Sequence, residues 1–151
     1  MANYYNEVNH MMEKVMYKFV QYDKSGIKLG DKQEKYSFLD VIILREIGKL
    51  GEITVFDLIN QVEVDRGILS TSINRFINLG FVVKLRSRLD KRKFVIYLTD
   101  EGKKFYDNIL KSEVEELNFI LKDMTVNEQK TVLKFLSRLN QLTVERLEFS
   151  E

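Results

Sequence analysis

The side chains of this 151-residue sequence that have chemistry to offer are mostly cations, and they are crowded. Lys84, Arg86, Arg88, Lys91, Arg92 and Lys93 share ten positions with a single acid, Asp90. That stretch carries a local charge of +5 in a chain whose net charge is only +1. Just ahead of it, Arg66, Ser70, Thr71 and Asn74 recur at three- and four-residue spacing, which on a helix gathers them on one side, with Arg75 expected at the edge toward phosphates. Ammonium and guanidinium groups at this density suit phosphate oxygens, and Asn, Ser and Thr offer donors and acceptors to base edges. The plainer alternatives are a solvated helix face and a charge run that serves solubility.

Other chemistries lack their residues. With no cysteine there is no disulfide, thiolate metal site or cysteine nucleophile. The lone histidine, His10, sits beside Met11 and Met12 in an apolar stretch and reads as a packing or surface residue rather than a general base. Glu113, Glu115 and Glu116 read as solvated helix positions, not as an acid/base pair. No nucleophile elbow, P-loop or dinucleotide fingerprint occurs. We expect no enzyme, no cofactor and no metal. No apolar run reaches the length of a membrane span, and the N-terminal residues lack the pattern of a secretory signal, so a cytoplasmic location away from membranes is the expectation.

The cations need a scaffold, and the flanking pattern supplies one. Val64–Gly80 places Leu69, Ile73, Phe76 and Ile77 on one helical stripe, opposite Arg66, Ser70, Thr71 and Asn74. Asp65 can cap that helix and Gly80 can end it by taking positive φ. Phe81–Arg86 and Phe94–Leu98 are β-branched and aromatic, as strands are, with the basic segment between them as a hairpin tip. Ahead of the helix, Thr54 to about Gln61 forms the supporting helix of a helix-turn-helix, with Glu63–Asp65 as the turn. The arrangement is a winged helix: a recognition helix for a major groove and a basic β-wing for the adjacent backbone or minor groove.

Val64-Asp65-x-Gly67, Asn74-Arg75, Leu79-Gly80, Asp90-Lys91-Arg92 and Leu98-Thr99-x-x-Gly102 come in this order and at these spacings between positions 64 and 102. This order resembles the signature of the bacterial multiple antibiotic resistance regulator (MarR) family, and the flanking helices are similar to that family's layout. The resemblance implies that the first helix and the last two form a homodimer, that Asp90 pairs with a neighbouring arginine to shape the wing, and that a small phenolic or anionic effector can bind. Leu89 stands at the wing tip, where many members carry a polar residue or proline. Without cysteine, the thiol-based oxidant sensing of one branch is absent.

The rest of the chain is expected to be helical. Residues 3–22 carry Tyr4, Val8, Met11, Met12, Val15, Met16 and Phe19 at helical spacing, either for a partner subunit or for the chain's own core. Residues 23–36 read as a loop. Ser37 caps a helix to about Gly48 that is apolar nearly all round, and Leu50–Ile53 can form a short edge strand beside the wing. Thr99 starts a helix running to about 122, roughly 36 Å long at about 1.5 Å per residue. Thr125 and Glu128 form a capping box for a last helix that includes Val144 and Leu147. Tyr17, Tyr36, Phe38, Phe105 and Tyr106 line either an effector pocket or the core. Gly67 marks either a close approach to the duplex or a frayed first turn.

The fold expected is mainly α with a small β-wing: one domain over 1–151, with the winged helix at about 37–99 and dimerisation helices at about 3–22 and 100–149. The function expected is a homodimeric, sequence-specific transcription regulator of double-stranded DNA. Its expected contacts are Arg66, Ser70, Thr71, Asn74, Arg75, Arg86, Arg88, Asp90, Lys91 and Arg92. The rival is a winged-helix module that docks another protein and does not touch DNA.

Overall fold

A computed structural model describes residues 3–28 and 34–142. The elements run α1 (Tyr5–Ser25), β1 (Ile27–Lys28), β2 (Lys35–Tyr36), α2 (Phe38–Leu50), β3 (Glu52–Thr54), α3 (Val55–Val62), α4 (Arg66–Asn78), β4 (Val82–Arg86), β5 (Phe94–Leu98), α5 (Asp100–Leu121) and α6 (Val126–Asn140). The chain divides into two compact units, 1–111 and 112–151.

In the first unit, α2, α3 and α4 pack with a three-stranded antiparallel sheet of order β3-β5-β4. The pattern that marked α2 as central holds, because Ile43, Leu44 and Ile47 are fully buried. Leu58 joins them from α3, and Leu69, Ile73 and Phe76 from the inner stripe of α4. The expected edge strand forms as β3, with Ile53 opposite Ile96. Phe81 and Phe105 stack at 4.8 Å between ring centres, tying the start of the wing to α5.

Caps set the boundaries. Ser37 and Asp40 form a reciprocal box at the start of α2, each accepting the other's backbone N–H at 3.0 Å. Thr54 Oγ1 accepts from Asp57 N, and Asp65 Oδ1 accepts from Gly67 N at 2.8 Å. Thr125 and Glu128 form the expected box at the start of α6. Gly102 answers to a close approach: a Cβ there would lie 2.1 Å from the Phe81 carbonyl oxygen, which already accepts from Thr99 N. Gly67 answers to its own cap, since a Cβ would sit 3.0 Å from Asp65 Oδ1.

One expectation changes and one open alternative is decided. The stretch expected as a loop over 23–36 ends α1 at Ser25 and supplies the ribbon β1–β2, with Ile27 opposite Tyr36. The ribbon forms because Ile27 and Tyr36 bury their side chains in the core despite polar neighbours. Among the aromatics left open between pocket and core, Tyr36 and Phe105 are core; Tyr36 is only 1% exposed. Tyr17, on α1, is exposed.

α1 buries none of its residues, although Tyr17, Met16 and Phe19 would each gain from burial. In the second unit, α6 also buries none, and Leu117, Phe119 and Ile120 at the end of α5 stand exposed. The sequence positions Val144 and Leu147 lie outside the described residues.

Candidate nucleic-acid interface

Antiparallel pairing sorts the wing's side chains by face. Val82, Lys84 and Arg86 on β4 lie opposite Leu98, Ile96 and Phe94 on β5. Paired residues project to the same side, and alternate residues along a strand share it. This inner face therefore begins in the core at Val82 and Leu98 and ends in cations. Lys84 Nζ and the Arg86 guanidinium lie 4.8 and 5.2 Å from the centre of the Phe94 ring. Such positions hold a cation by its attraction to the ring face.

Beside this face the start of α3 and the first turns of α4 complete a trough of about 350 Å³. Arg66, Ser70, Lys84, Arg92 and Lys93 line it, with Phe56 and Phe94 as apolar wall. Four cations line it, with no acid among its described lining residues, which gives it a positive local potential, although Arg92 is also paired with Asp90. On α4, Thr71 and Asn74 are exposed and Ser70 is half-buried. Thr71 Oγ1 donates to the Gly67 carbonyl at 3.0 Å, so its remaining capacity is as an acceptor.

The hairpin tip is a fixed object. Ser87 N donates to the Lys93 carbonyl at 2.8 Å and Lys93 N to the Asp90 carbonyl at 2.9 Å. Ser87 Oγ accepts from the backbone N–H of Leu89 and of Asp90. Asp90 Oδ1 accepts from Arg92 N at 3.0 Å and from Arg92 Nε at 3.2 Å. The Arg92 side chain, and then its backbone N–H, hold the Asp90 carboxyl below the usual carboxylate range. Asp90 is thus the shaping acid that the family resemblance implied. Arg86 Nη1 donates to the Lys91 carbonyl, so this arginine braces the tip. Arg88 and Lys91 are exposed.

Arg75 departs from its expected place toward phosphates. Its Nη1 donates to Asp40 Oδ2 at 2.9 Å, its Nη2 donates to the Lys35 carbonyl, and its guanidinium lies 5.0 Å from the centre of the Tyr36 ring. Glu34 adds a second carboxylate at 3.6 Å. Asp40, 6% exposed, also accepts from Ser72 Oγ at 2.8 Å. Burial, and next the Glu34 carboxylate, push the Tyr36 phenol above its ordinary range.

Sequence reasoning counted Lys84 as charge but did not place it; alternation from buried Val82 would have put it on the inner face. Phe56 had no signal beyond being apolar near a helix start. Ser72 and Asp40 were invisible as a pair, since 32 positions separate them.

A family model described as transcriptional regulator SarA/Rot matches residues 25–109. The uncharacterized HTH-type transcriptional regulator YwhA of Bacillus subtilis (strain 168) is 25% identical over 99 residues, covering 66% of this chain and 71% of YwhA. The HTH-type transcriptional regulator FarR of Neisseria gonorrhoeae is 32% identical over 94 residues, covering 62% of this chain and 64% of FarR. Streptococcus pneumoniae FabT, solved in complex with DNA, superposes with a TM-score of 0.76 at 22% identity, covering 95% of this chain and 99% of FabT. Apo MarR from E. coli superposes with a TM-score of 0.64 at 20% identity, covering 92% of this chain and 98% of MarR. NadR, solved in complex with 4-hydroxyphenylacetate, gives 0.60 at 22% identity, covering 95% of this chain and 96% of NadR. These structures share this chain's winged-helix fold.

Proposed function

The chain belongs to the SarA/Rot family of transcriptional regulators, with the winged-helix fold of MarR-type proteins, and from that premise we propose that it binds duplex DNA as a homodimer. The observation that carries this reading is the trough of Arg66, Lys84, Arg92 and Lys93, with no acid among its described lining residues. The first turns of α4 enter the major groove, where Arg66, Ser70, Thr71 and Asn74 reach base edges. Lys84, Lys93 and the exposed Arg88, Lys91 and Arg92 meet phosphates and the neighbouring minor groove.

Two copies present two such helices about 34–36 Å apart, one turn of duplex. The second copy covers apolar surface that a lone chain leaves in water on α1, on the end of α5 and on α6. The protein works where the chromosome lies, in the bacterial cytoplasm. A small phenolic compound is the effector class we infer for the recess of about 450 Å³ where Tyr97, Tyr106 and Lys103 meet Glu52 and Asp107. The NadR complex with 4-hydroxyphenylacetate supports that class.

A salt titration tests the DNA reading. If a dimer neutralises about six phosphates, log K falls against log[salt] with a slope of about −5. A flat titration, or no shift of any duplex, rejects the reading and favours a protein-docking module.

A further inference from the structure

Leu89 is 99% exposed, the extreme among the large apolar side chains of the described residues. It is the one apolar residue in the tip Ser87–Lys93, set between Arg88 and Asp90. It does not fold back, because the backbone around it is pinned. Its own N–H and that of Asp90 donate to Ser87 Oγ, and the Lys93 N–H and Ser87 N–H close the base of the tip. A rigid loop therefore holds an aliphatic side chain out in water, among cations suited to a phosphate backbone. Charge and solubility are served by Arg88, Lys91, Arg92 and Lys93 without it.

We propose that Leu89 is an apolar wedge which the wing drives into the minor groove, partly opening one base step in each half-site. This rests on the DNA-binding reading above. Aliphatic wedges of this kind unstack a step and kink the duplex, and a leucine is among the side chains that do so. Pyrimidine–purine steps open at least cost, so the wedge confers a preference for such a step under the wing without any hydrogen bond to a base. Burial of the leucine offsets part of the unstacking. The rigid tip matters here, since a floppy one would spend that gain on being ordered.

The experiment uses the full chain and duplexes that the wild-type protein selects from a random pool, with 2-aminopurine placed in turn at positions under the wing. The wild type is expected to raise 2-aminopurine fluorescence at one step per half-site and to select a pyrimidine–purine step there. Leu89→Ala is expected to abolish both, to weaken binding roughly tenfold, and to leave the salt slope unchanged, because no phosphate contact is lost. Leu89→Met is expected to restore the fluorescence rise. Leu89→Lys adds a cation, so a wing acting by charge alone predicts tighter binding and a wedge predicts weaker binding. If the wild type selects DNA but Leu89→Ala gives the same affinity and fluorescence, or Leu89→Lys binds more tightly, the wedge is wrong and the DNA reading stands. If the wild type selects no duplex, both are overturned.

Discussion

Arg75→Ala separates a brace from a phosphate ligand. The substitution removes the 2.9 Å pair with Asp40, the donation to the Lys35 carbonyl and the cation over Tyr36. Asp40 keeps Ser72 Oγ and Ser37 N but loses its countercharge while remaining 6% exposed. Removing one member of a buried pair costs about 3–5 kcal/mol. The Arg75 side chain is 36% exposed, so water compensates part of the loss and ~2 kcal/mol is the better figure. With an m-value of about 2 kcal/mol/M, the urea midpoint falls by ~1 M. A cycle with Asp40→Asn, whose one carboxamide oxygen can accept from Ser37 N while its NH2 donates to Ser72 Oγ, should return a coupling of about 1 kcal/mol between residues 40 and 75. Under conditions where the variant is folded, its DNA salt slope should match the wild type. The opposite pattern, an unchanged urea midpoint with the slope lowered by about one, would make Arg75 a phosphate contact and refute the brace.

Four further outcomes follow from the same geometry. Lys84→Ala should weaken binding to all duplexes alike and reduce the salt slope by about one, whereas Asn74→Ala should relax preference at one base pair by about 1–3 kcal/mol; equal behaviour of the two in a selection experiment would misplace the reading face. Gly102→Ala forces a Cβ to within 2.1 Å of the Phe81 carbonyl oxygen and should destabilise by about 1–3 kcal/mol in chemical denaturation, and an unaffected midpoint would contradict the close approach. Tyr36 has its folded pKa raised above its unfolded value of about 10, so the stability it contributes is fully present below pH 10 and is lost as pH rises further. A difference titration of wild type against Tyr36→Phe should show its phenolate appearing above pH 10, and appearance at or below pH 10 would contradict burial. Finally, two copies joined through the exposed faces of α1, α5 and α6 should melt at a temperature that climbs with protein concentration, and a constant midpoint over a hundredfold dilution would argue for a monomer.

What could be read in the sequence was local. The Ser37–Asp40 and Thr125–Glu128 boxes, the Asp65 cap and the strands around the basic tip all rest on residues a few positions apart. So did the pairing of Asp90 with Arg92. The ribbon β1–β2 was not legible, because two-residue strands carry no alternation and what forms them is burial of Ile27 and Tyr36 in a core assembled by other segments. Whether an aromatic at helical spacing lines a pocket or a core was equally undecidable from spacing, and the packing of Tyr36 against Phe105 at 5.0 Å decided it.

Arg66 and Arg75 show the same limit within one helix. Both are arginines of α4, but nine positions at about 100° per residue point them to opposite sides of the helix, a difference composition does not show. What also separates them is the acids that folding brings within reach. Asp40 and Glu34 arrive from segments 35 and more positions away and claim Arg75, Asp40 also holding Ser72, whereas the charged residues that line the trough with Arg66 are Lys84, Arg92 and Lys93. The consequence is mechanical as well as electrostatic. The second half of α4 is held to α2 and the β1–β2 ribbon by a charge-assisted network, while its first turns carry unneutralised side chains toward open solvent. A recognition helix reads bases with its N-terminal residues. Under the proposed DNA reading, anchoring the C-terminal half through Arg75 while Arg66 has no acid beside it among the described residues lining the trough gives α4 both the rigidity and the local positive potential that such reading requires.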